Sequence, residues 1–254
     1  MLAECYPKQD MFNHKELFTL NGENTLVTGG TGAIGSDIAS EFSKLRQKVT
    51  ILGRNQDKLT SISEQNKNIT PFYLDITNQD EQKKFSQKCD PFDNIILCHG
   101  IPASRPLRMV DKKYIENVID INLTSTISLL AFLQRARKIM SPGRIIFLSS
   151  VAARMGAANN IAYSASKLGG EAAMNSIARD FLKKDITVNS IAPAGIETPI
   201  YSGTKPKVID PKLYPLGCGL VSDTTSTALF LCLKGSKYIT GETIILSGGT
   251  KWLG

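Results

Sequence analysis

Apolar positions along the chain fall into two alternating periods. Asn24-Thr-Leu-Val-Thr28 is a short apolar run, and Ile38, Ala39, Phe42 and Leu45 then recur at helical spacing. Further strand-like runs are Lys48-Val-Thr-Ile-Leu52, Thr70-Pro-Phe-Tyr-Leu74, Asp93-Asn-Ile-Ile-Leu-Cys98, Gly143-Arg-Ile-Ile-Phe-Leu-Ser149, Ile186-Thr-Val-Asn-Ser-Ile191 and Glu242-Thr-Ile-Ile-Leu246. Helical patterns occupy 55–67, 78–88, 111–140, a stretch through Tyr163 to about 183, and 223–234. Strands alternating with helices of these lengths predict a parallel sheet covered on both faces. The expected fold is α/β: one Rossmann-type doubly wound domain with a seven-stranded parallel sheet. Residues 1–22 are weakly patterned and read as an N-terminal arm, which puts the domain at 23–254. Pro206, Pro211 and Pro215 argue against a continuous helix over 200–216, a stretch that reads as a lid.

Composition narrows the class. The 254 residues are 42% hydrophobic and 21% charged, ordinary for a globular domain. The net charge of +7 suits an anionic cofactor or partner, but the basic residues are scattered, so no nucleic-acid surface is expected. Five cysteines without a C-x-x-C pair argue against disulfides and zinc, and only His14 and His99 offer imidazole, so no metal site is expected. No apolar run is long enough to span a membrane. Residues 1–22 contain Glu4, Asp10 and Glu16 and no Arg, which fits neither a transit peptide nor a secretory signal. The expected location is intracellular, in the cytoplasm.

Three stretches carry chemistry. Gly29-Gly-Thr-Gly-Ala-Ile-Gly35 lies between a strand and a helix, where backbone N–H groups and a helix N-terminus favour a pyrophosphate. The second strand ends in Gly53-Arg54 with no acid to hold two ribose hydroxyls; a guanidinium there suits a 2′-phosphate. Tyr163 and Lys167 are four residues apart, so on a helix they project from one face. An ammonium group beside a phenol favours the phenolate, and Ser150 upstream offers a hydroxyl to hold a carbonyl oxygen. Together they predict proton transfer in a carbonyl/alcohol interconversion. An exposed Lys and a half-buried Tyr on an ordinary amphipathic helix is the plainer alternative.

In order along the chain, these motifs resemble the short-chain dehydrogenase/reductases from about residue 22 onward. The resemblance implies that Gly29, Thr31, Gly32, Ile34 and Gly35 form the cofactor loop. Arg54 then meets NADP(H), Asp75 and Ile76 meet the adenine, and His99 and Gly100 line the adenosine ribose. It implies that Asn122, Ser150, Tyr163 and Lys167 are catalytic, with Asn122 holding a water and Tyr163 and Lys167 also meeting the cofactor. Pro193, Ile196 and Thr198 correspond to the loop on the nicotinamide carboxamide. Three departures stand out. Ala33 replaces a loop glycine, Leu97-Cys98-His99-Gly100 replaces Asn-Asn-Ala-Gly, and Pro193-Ala194-Gly195 separates a Pro-Gly pair. Cys98 and His99, at the end of an apolar strand, are expected to be structural rather than catalytic.

Within the family, Tyr163-Ser-Ala-Ser-Lys, Ile186-Thr-Val-Asn and Tyr238-Ile-Thr-Gly-Glu242 resemble 3-oxoacyl-carrier-protein reductases. The reaction implied is NADP(H)-dependent reduction of a carbonyl to a secondary alcohol, with a 3-oxoacyl thioester as substrate. A polyol, sugar or general ketone reductase is an alternative, and a non-catalytic NADP-binding interaction protein another. The substrate pocket falls to residues 100–108, 151–160 and the lid. The resemblance also implies a homotetramer paired through the helices carrying Asn122 and Tyr163, with Ala172, Ala173 and Ala178 as small contact residues. An acidic acyl carrier protein would dock on Arg135, Arg137, Lys138, Lys183 and Lys184.

Overall fold

The computed structural model describes residues 14–197 and 214–250. Seven strands form one sheet: β1 Asn24–Thr28, β2 Lys48–Gly53, β3 Ile69–Tyr73, β4 Phe92–Leu97, β5 Ile139–Leu148, β6 Ile186–Pro193 and β7 Thr243–Leu246. Their order is β3-β2-β1-β4-β5-β6-β7, and every neighbouring pair is parallel. The winding reverses between β1 and β4, which leaves a crevice beyond the strands' C-terminal ends.

Side chains alternate across the strands, so each face has its own core. Leu26, Leu52, Ile95, Leu97, Ile145, Phe147 and Val188 face α4 Gln79–Lys88, α6 Ser125–Arg135 and α8 Ile161–Phe181. Val27, Val49, Ile51, Ile96, Ile146 and Ile191 face α2 Ala33–Lys44, α3 Gln56–Gln65 and α9 Val221–Leu231. Phe42, Leu129 and Met174 are completely buried in these layers. Two short helices, α1 His14–Leu17 and α7 Ala152–Met155, sit outside them, and α5 Lys112–Ile119 leads towards α6. Among the described residues, no helix is long and apolar enough to cross a membrane.

The seven-stranded parallel sheet matches the sequence pattern, but the helix expected over 111–140 does not survive whole. After α5 the backbone widens into a π-turn, Asp120–Thr124, before α6. Ser125 and Thr126 hydroxyls donate back to the carbonyls of Ile121 and Asn122. The helix then stops at Arg135, because Arg137 adopts φ 57° and Ile139 joins the sheet opposite Phe92.

The chain entering β1 is fastened rather than loose. Leu20 bridges to Leu233, and the Asn21 N–H donates to the Cys232 carbonyl at 2.8 Å. The Asn21 amide donates to the Pro142 carbonyl, and Asn94 donates to the Asn21 carbonyl. Oδ2 of Asp93 accepts the N–H groups of both Glu23 and Asn24 at 2.9 Å. The first thirteen residues of the expected arm lie outside the described residues.

Candidate active site

A cavity of about 1350 Å³ opens at the C-terminal ends of β1, β2, β4, β5 and β6. Gly29, Thr31, Gly32, Ile34 and Gly35 line one side, and Ser150, Tyr163, Lys167, Pro193 and Ile196 another. Thr198 lies outside the described residues. Arg54, Lys167 and Glu197 are the charged residues in the described lining.

The glycine loop owes its shape to close backbone approach. Gly29 has φ 66°, and a Cβ there would sit 2.8 Å from the His99 Cα. A Cβ on Gly35 would sit 2.4 Å from the Gly29 carbonyl oxygen, so the start of α2 can lie on the turn only as glycine. Ala33, at the departure from the family's pattern, is the first residue of α2 and lines the cavity without such a clash. This glycine cradle beside a large cleft fits a dinucleotide.

At the end of β2, Arg54 is exposed and lines the cavity. Gly53 has no room for a side chain: a Cβ would lie 2.8 Å from Cγ2 and 3.1 Å from Oγ1 of Thr31. Ile76 lines the cavity, whereas Asp75 is not in its lining. Oδ1 of Asp75 instead accepts the N–H and hydroxyl of Thr77, at 3.0 and 2.9 Å.

Tyr163 and Lys167 stand one turn apart on α8, with Lys167 Nζ 5.8 Å from the Tyr163 ring centroid. The Lys167 ammonium donates to the Leu148 carbonyl at 2.8 Å. Burial lowers its pKa to about 8, so it still carries charge at neutral pH. Ser150 lies two residues past the end of β5, and its Oγ accepts the Ala152 N–H at 3.2 Å. That bond uses a lone pair and leaves the hydroxyl proton to donate.

Asn122 sits in the π-turn behind the cavity wall. Its Oδ1 accepts the Ile101 N–H at 2.8 Å, and its Nδ2 donates to the Ile101 carbonyl and to Ser166 Oγ, both at 3.1 Å. It borders a second void of about 10 Å³, shared with His99, Thr126, Ser166 and Lys167. That is close to the space one water needs, and His99, Asn122, Thr126, Ser166 and Lys167 supply polar groups among walls that also include Leu97 and Phe147.

His99 and Gly100 also line the main cavity. The His99 ring, however, is held from behind: Nδ1 lies 2.7 Å from Thr28 Oγ1, and Nε2 2.9 Å from Thr126 Oγ1 and 3.2 Å from Ser125 Oγ. The Ser125 and Thr126 hydroxyls spend their protons on backbone carbonyls, so they accept from Nε2, which carries the ring hydrogen, and Thr28 Oγ1 donates to Nδ1. Burial first, then Lys167, pushes the His99 pKa down to about 3, so the ring is neutral. The half-buried Cys98 thiol nearby is pushed up to about 12 by desolvation. Cys98 lines the cavity too, and so do Cys218 and Tyr214, which no sequence motif marked.

The basic residues read as a docking patch lie elsewhere. Arg135, Arg137 and Lys138 precede the start of β5, and Lys183 and Lys184 precede the start of β6. In a parallel sheet this is the edge opposite the cavity. Ala172 is exposed, Ala173 half-buried, and Ala178 belongs to the core of its own chain.

This constellation, on this sheet, defines a dinucleotide-dependent oxidoreductase, and similarity to known proteins agrees. The family described as short chain dehydrogenase matches residues 23–208. The 3-oxoacyl-(acyl-carrier-protein) reductase of Rickettsia felis is 32% identical over 241 residues, covering 92% of this chain and 98% of that protein. Nodulation protein G of Rhizobium meliloti is 29% identical, with 92% and 98% covered. The solved short-chain dehydrogenase/reductase (glucose/ribitol dehydrogenase) of Brucella melitensis superposes with a TM-score of 0.85 at 24% identity, over 92% of this chain and 99% of that one. The chain belongs to the short-chain dehydrogenase/reductase family, oxidoreductases that use a nicotinamide cofactor. Several curated relatives at about 30% identity carry the name 3-oxoacyl-(acyl-carrier-protein) reductase.

Proposed function

We propose that the chain uses NADPH to reduce the ketone of a 3-oxoacyl thioester to a secondary alcohol. The observation that carries this reading is the convergence of Ser150, Tyr163 and Lys167 on one cavity with the Gly29–Gly35 loop. Ile101, Pro102, Ala103, Val151 and Ala152 line that cavity with Ser104 and Asn160, so its wall there is mostly apolar. Such walls suit an acyl chain better than a polyol, whose hydroxyls would be left unpaired. The names of the curated relatives support the thioester.

When bound, the nicotinamide supplies the hydride that reaches the carbonyl carbon. Ser150 donates its hydroxyl proton to the carbonyl oxygen and so fixes its position. Tyr163 transfers its phenolic proton to the same oxygen as negative charge develops there. Lys167 stabilises the resulting phenolate and meets the cofactor's ribose. Asn122, through the small void beside Lys167, holds the water that returns a proton. Gly29, Thr31, Gly32, Ile34 and Gly35 would hold the pyrophosphate, Arg54 the 2′-phosphate, Ile76, His99 and Gly100 the adenosine half, and Pro193, Ile196 and Thr198 the carboxamide.

On this reading an acyl carrier protein meets the basic helix ends only if another subunit brings them to the cavity mouth, as in the homotetramer the resemblance implies. Purified protein should oxidise NADPH with acetoacetyl thioesters and turn over ketoses far more slowly. A preference for ketoses, or turnover with NADH alone, would reject the substrate or the cofactor respectively. Binding of NADPH with no turnover across thioesters, ketoses and quinones would favour the non-catalytic alternative.

A further inference from the structure

Glu171 lies one turn below Lys167 and two below Tyr163, on the same stripe of α8. Its side chain is only 5% exposed. A carboxylate so deeply placed needs strong partners, and it has them on both sides of Ser150. Ser149, immediately before Ser150, donates its hydroxyl to Glu171 Oε1 at 2.6 Å. Arg154, on the short helix after it, donates from Nε to Oε2 at 3.0 Å, and its Nη2 completes the ion pair at the same distance. Charge-assisted bonds of this kind are short and roughly twice as strong as neutral ones.

We propose that Glu171 is a positioning residue that fixes the Ser150 turn against the helix carrying Tyr163 and Lys167. The rest of the geometry makes this the turn's main tie to α8. The backbone of Ser149 and Val151 is tied to β6, through the carbonyls of Ile191 and Pro193. Lys167 grips the Leu148 carbonyl, one residue before Ser149. Glu171 therefore completes a ladder from α8: Lys167 to Leu148, then Glu171 to Ser149 and Arg154. The distance between the Ser150 hydroxyl and the Tyr163 phenol is set by this ladder. A carbonyl oxygen has to touch both groups, so a small error in that distance is costly.

The inference rests on the reading of Ser150 and Tyr163 as the groups that bind the carbonyl oxygen, and two readouts keep it separable. Glu171→Gln keeps an acceptor for Ser149 but cannot hold Arg154 as a carboxylate does. It should lower kcat on a thioester ketone by about 10- to 100-fold, the scale of an ångström-sized misplacement. Affinity for NADPH should stay unchanged, because Glu171 does not line the cavity. The second readout needs no turnover: hydrogen exchange should quicken about tenfold in 148–156 and not in 24–36. The pair Glu171→Leu with Arg154→Met removes both charges without leaving one buried alone, so it keeps the fold. It should regain the melting temperature of the unmodified chain yet keep the low kcat and the fast exchange. Exchange that is unchanged in 148–156, or that rises equally across the sheet, would overturn the proposal. So would a kcat that recovers along with stability in the double variant. If the unmodified chain turned over no carbonyl while local exchange still responded, the assigned reaction would fail and the positioning role would stand.

Discussion

Replacing His99 with Ala, the residue the family's pattern carries there, should remove an acid sensitivity from the fold. In the folded chain the ring stays neutral down to about pH 3, against an ordinary value of 6.5, mainly because it is buried. In the unfolded chain the same ring takes a proton as the pH falls through 6.5. Between the two values the unfolded state binds more protons, so stability falls as pH falls. Each unit of separation is worth about 1.4 kcal/mol. At about pH 4.5 the solution is about two units below the unfolded value, so this ring alone costs roughly 3 kcal/mol relative to neutral pH. That is a large part of a typical stability of about 5–15 kcal/mol. His99→Ala should itself be less stable at pH 7, since Thr28, Ser125 and Thr126 lose their shared partner. Its further loss on going to about pH 4.5 should nevertheless be roughly 3 kcal/mol smaller than that of the unmodified chain. Urea unfolding of both proteins at the two pH values measures this directly, because the other acidic groups titrate alike in both. Equal losses would show that the ring is already protonated in the fold and would refute its neutrality there.

Other outcomes follow from the site. Tyr163→Phe should lower kcat by about 10²–10⁴-fold while NADPH binding persists, and near-normal turnover would remove the tyrosine from the proton transfer. Gly53→Asp alone should weaken NADPH and NADH together, because Thr31 fills the space an acid would need; adding Thr31→Ala should then favour NADH. Fluorescence titration with both cofactors would decide this, and a full switch by Gly53→Asp alone would be the contrary result. Lys167 loses its charge as pH rises through about 8 in the cofactor-free fold, so reduction rates should bend downward from about that pH. A rate that stays flat to pH 10 would contradict this. Between about 8 and 10.5 the unfolded chain keeps the proton that the folded chain has released, so stability should rise over that interval.

Much of this was legible in the sequence because it is local. The parallel sheet follows from strand and helix runs, and Tyr163 and Lys167 share a helix face by spacing alone. Other features depend on contacts made across the chain. The π-turn around Asn122 is formed with the help of hydroxyls that also meet His99, a residue separated from Thr126 by a strand-to-helix crossing. The first residues of β5 carry a helical pattern in sequence, because Ile139 shows its strand character only opposite Phe92. Asp75 carries the motif's identity, but its Oδ1 is taken up by Thr77. Glu171 reads in sequence as one more polar residue on an amphipathic helix. Its four-residue spacing from Lys167 was the available sign that it belonged to the catalytic stripe instead.

The fastening of the chain ahead of β1 bears on where the protein can be cut. The boundary suggested by the sequence, between residues 22 and 23, would remove Asn21. That would take from the Pro142 and Cys232 carbonyls the donors Asn21 supplies, and from the Asn94 amide its shortest acceptor. Asn94 and Pro142 belong to β4 and β5, next to each other in the sheet. A trimmed version beginning at Glu23 would thus carry its damage into the middle of the molecule, whereas one that keeps everything from His14 onward would leave that seam closed.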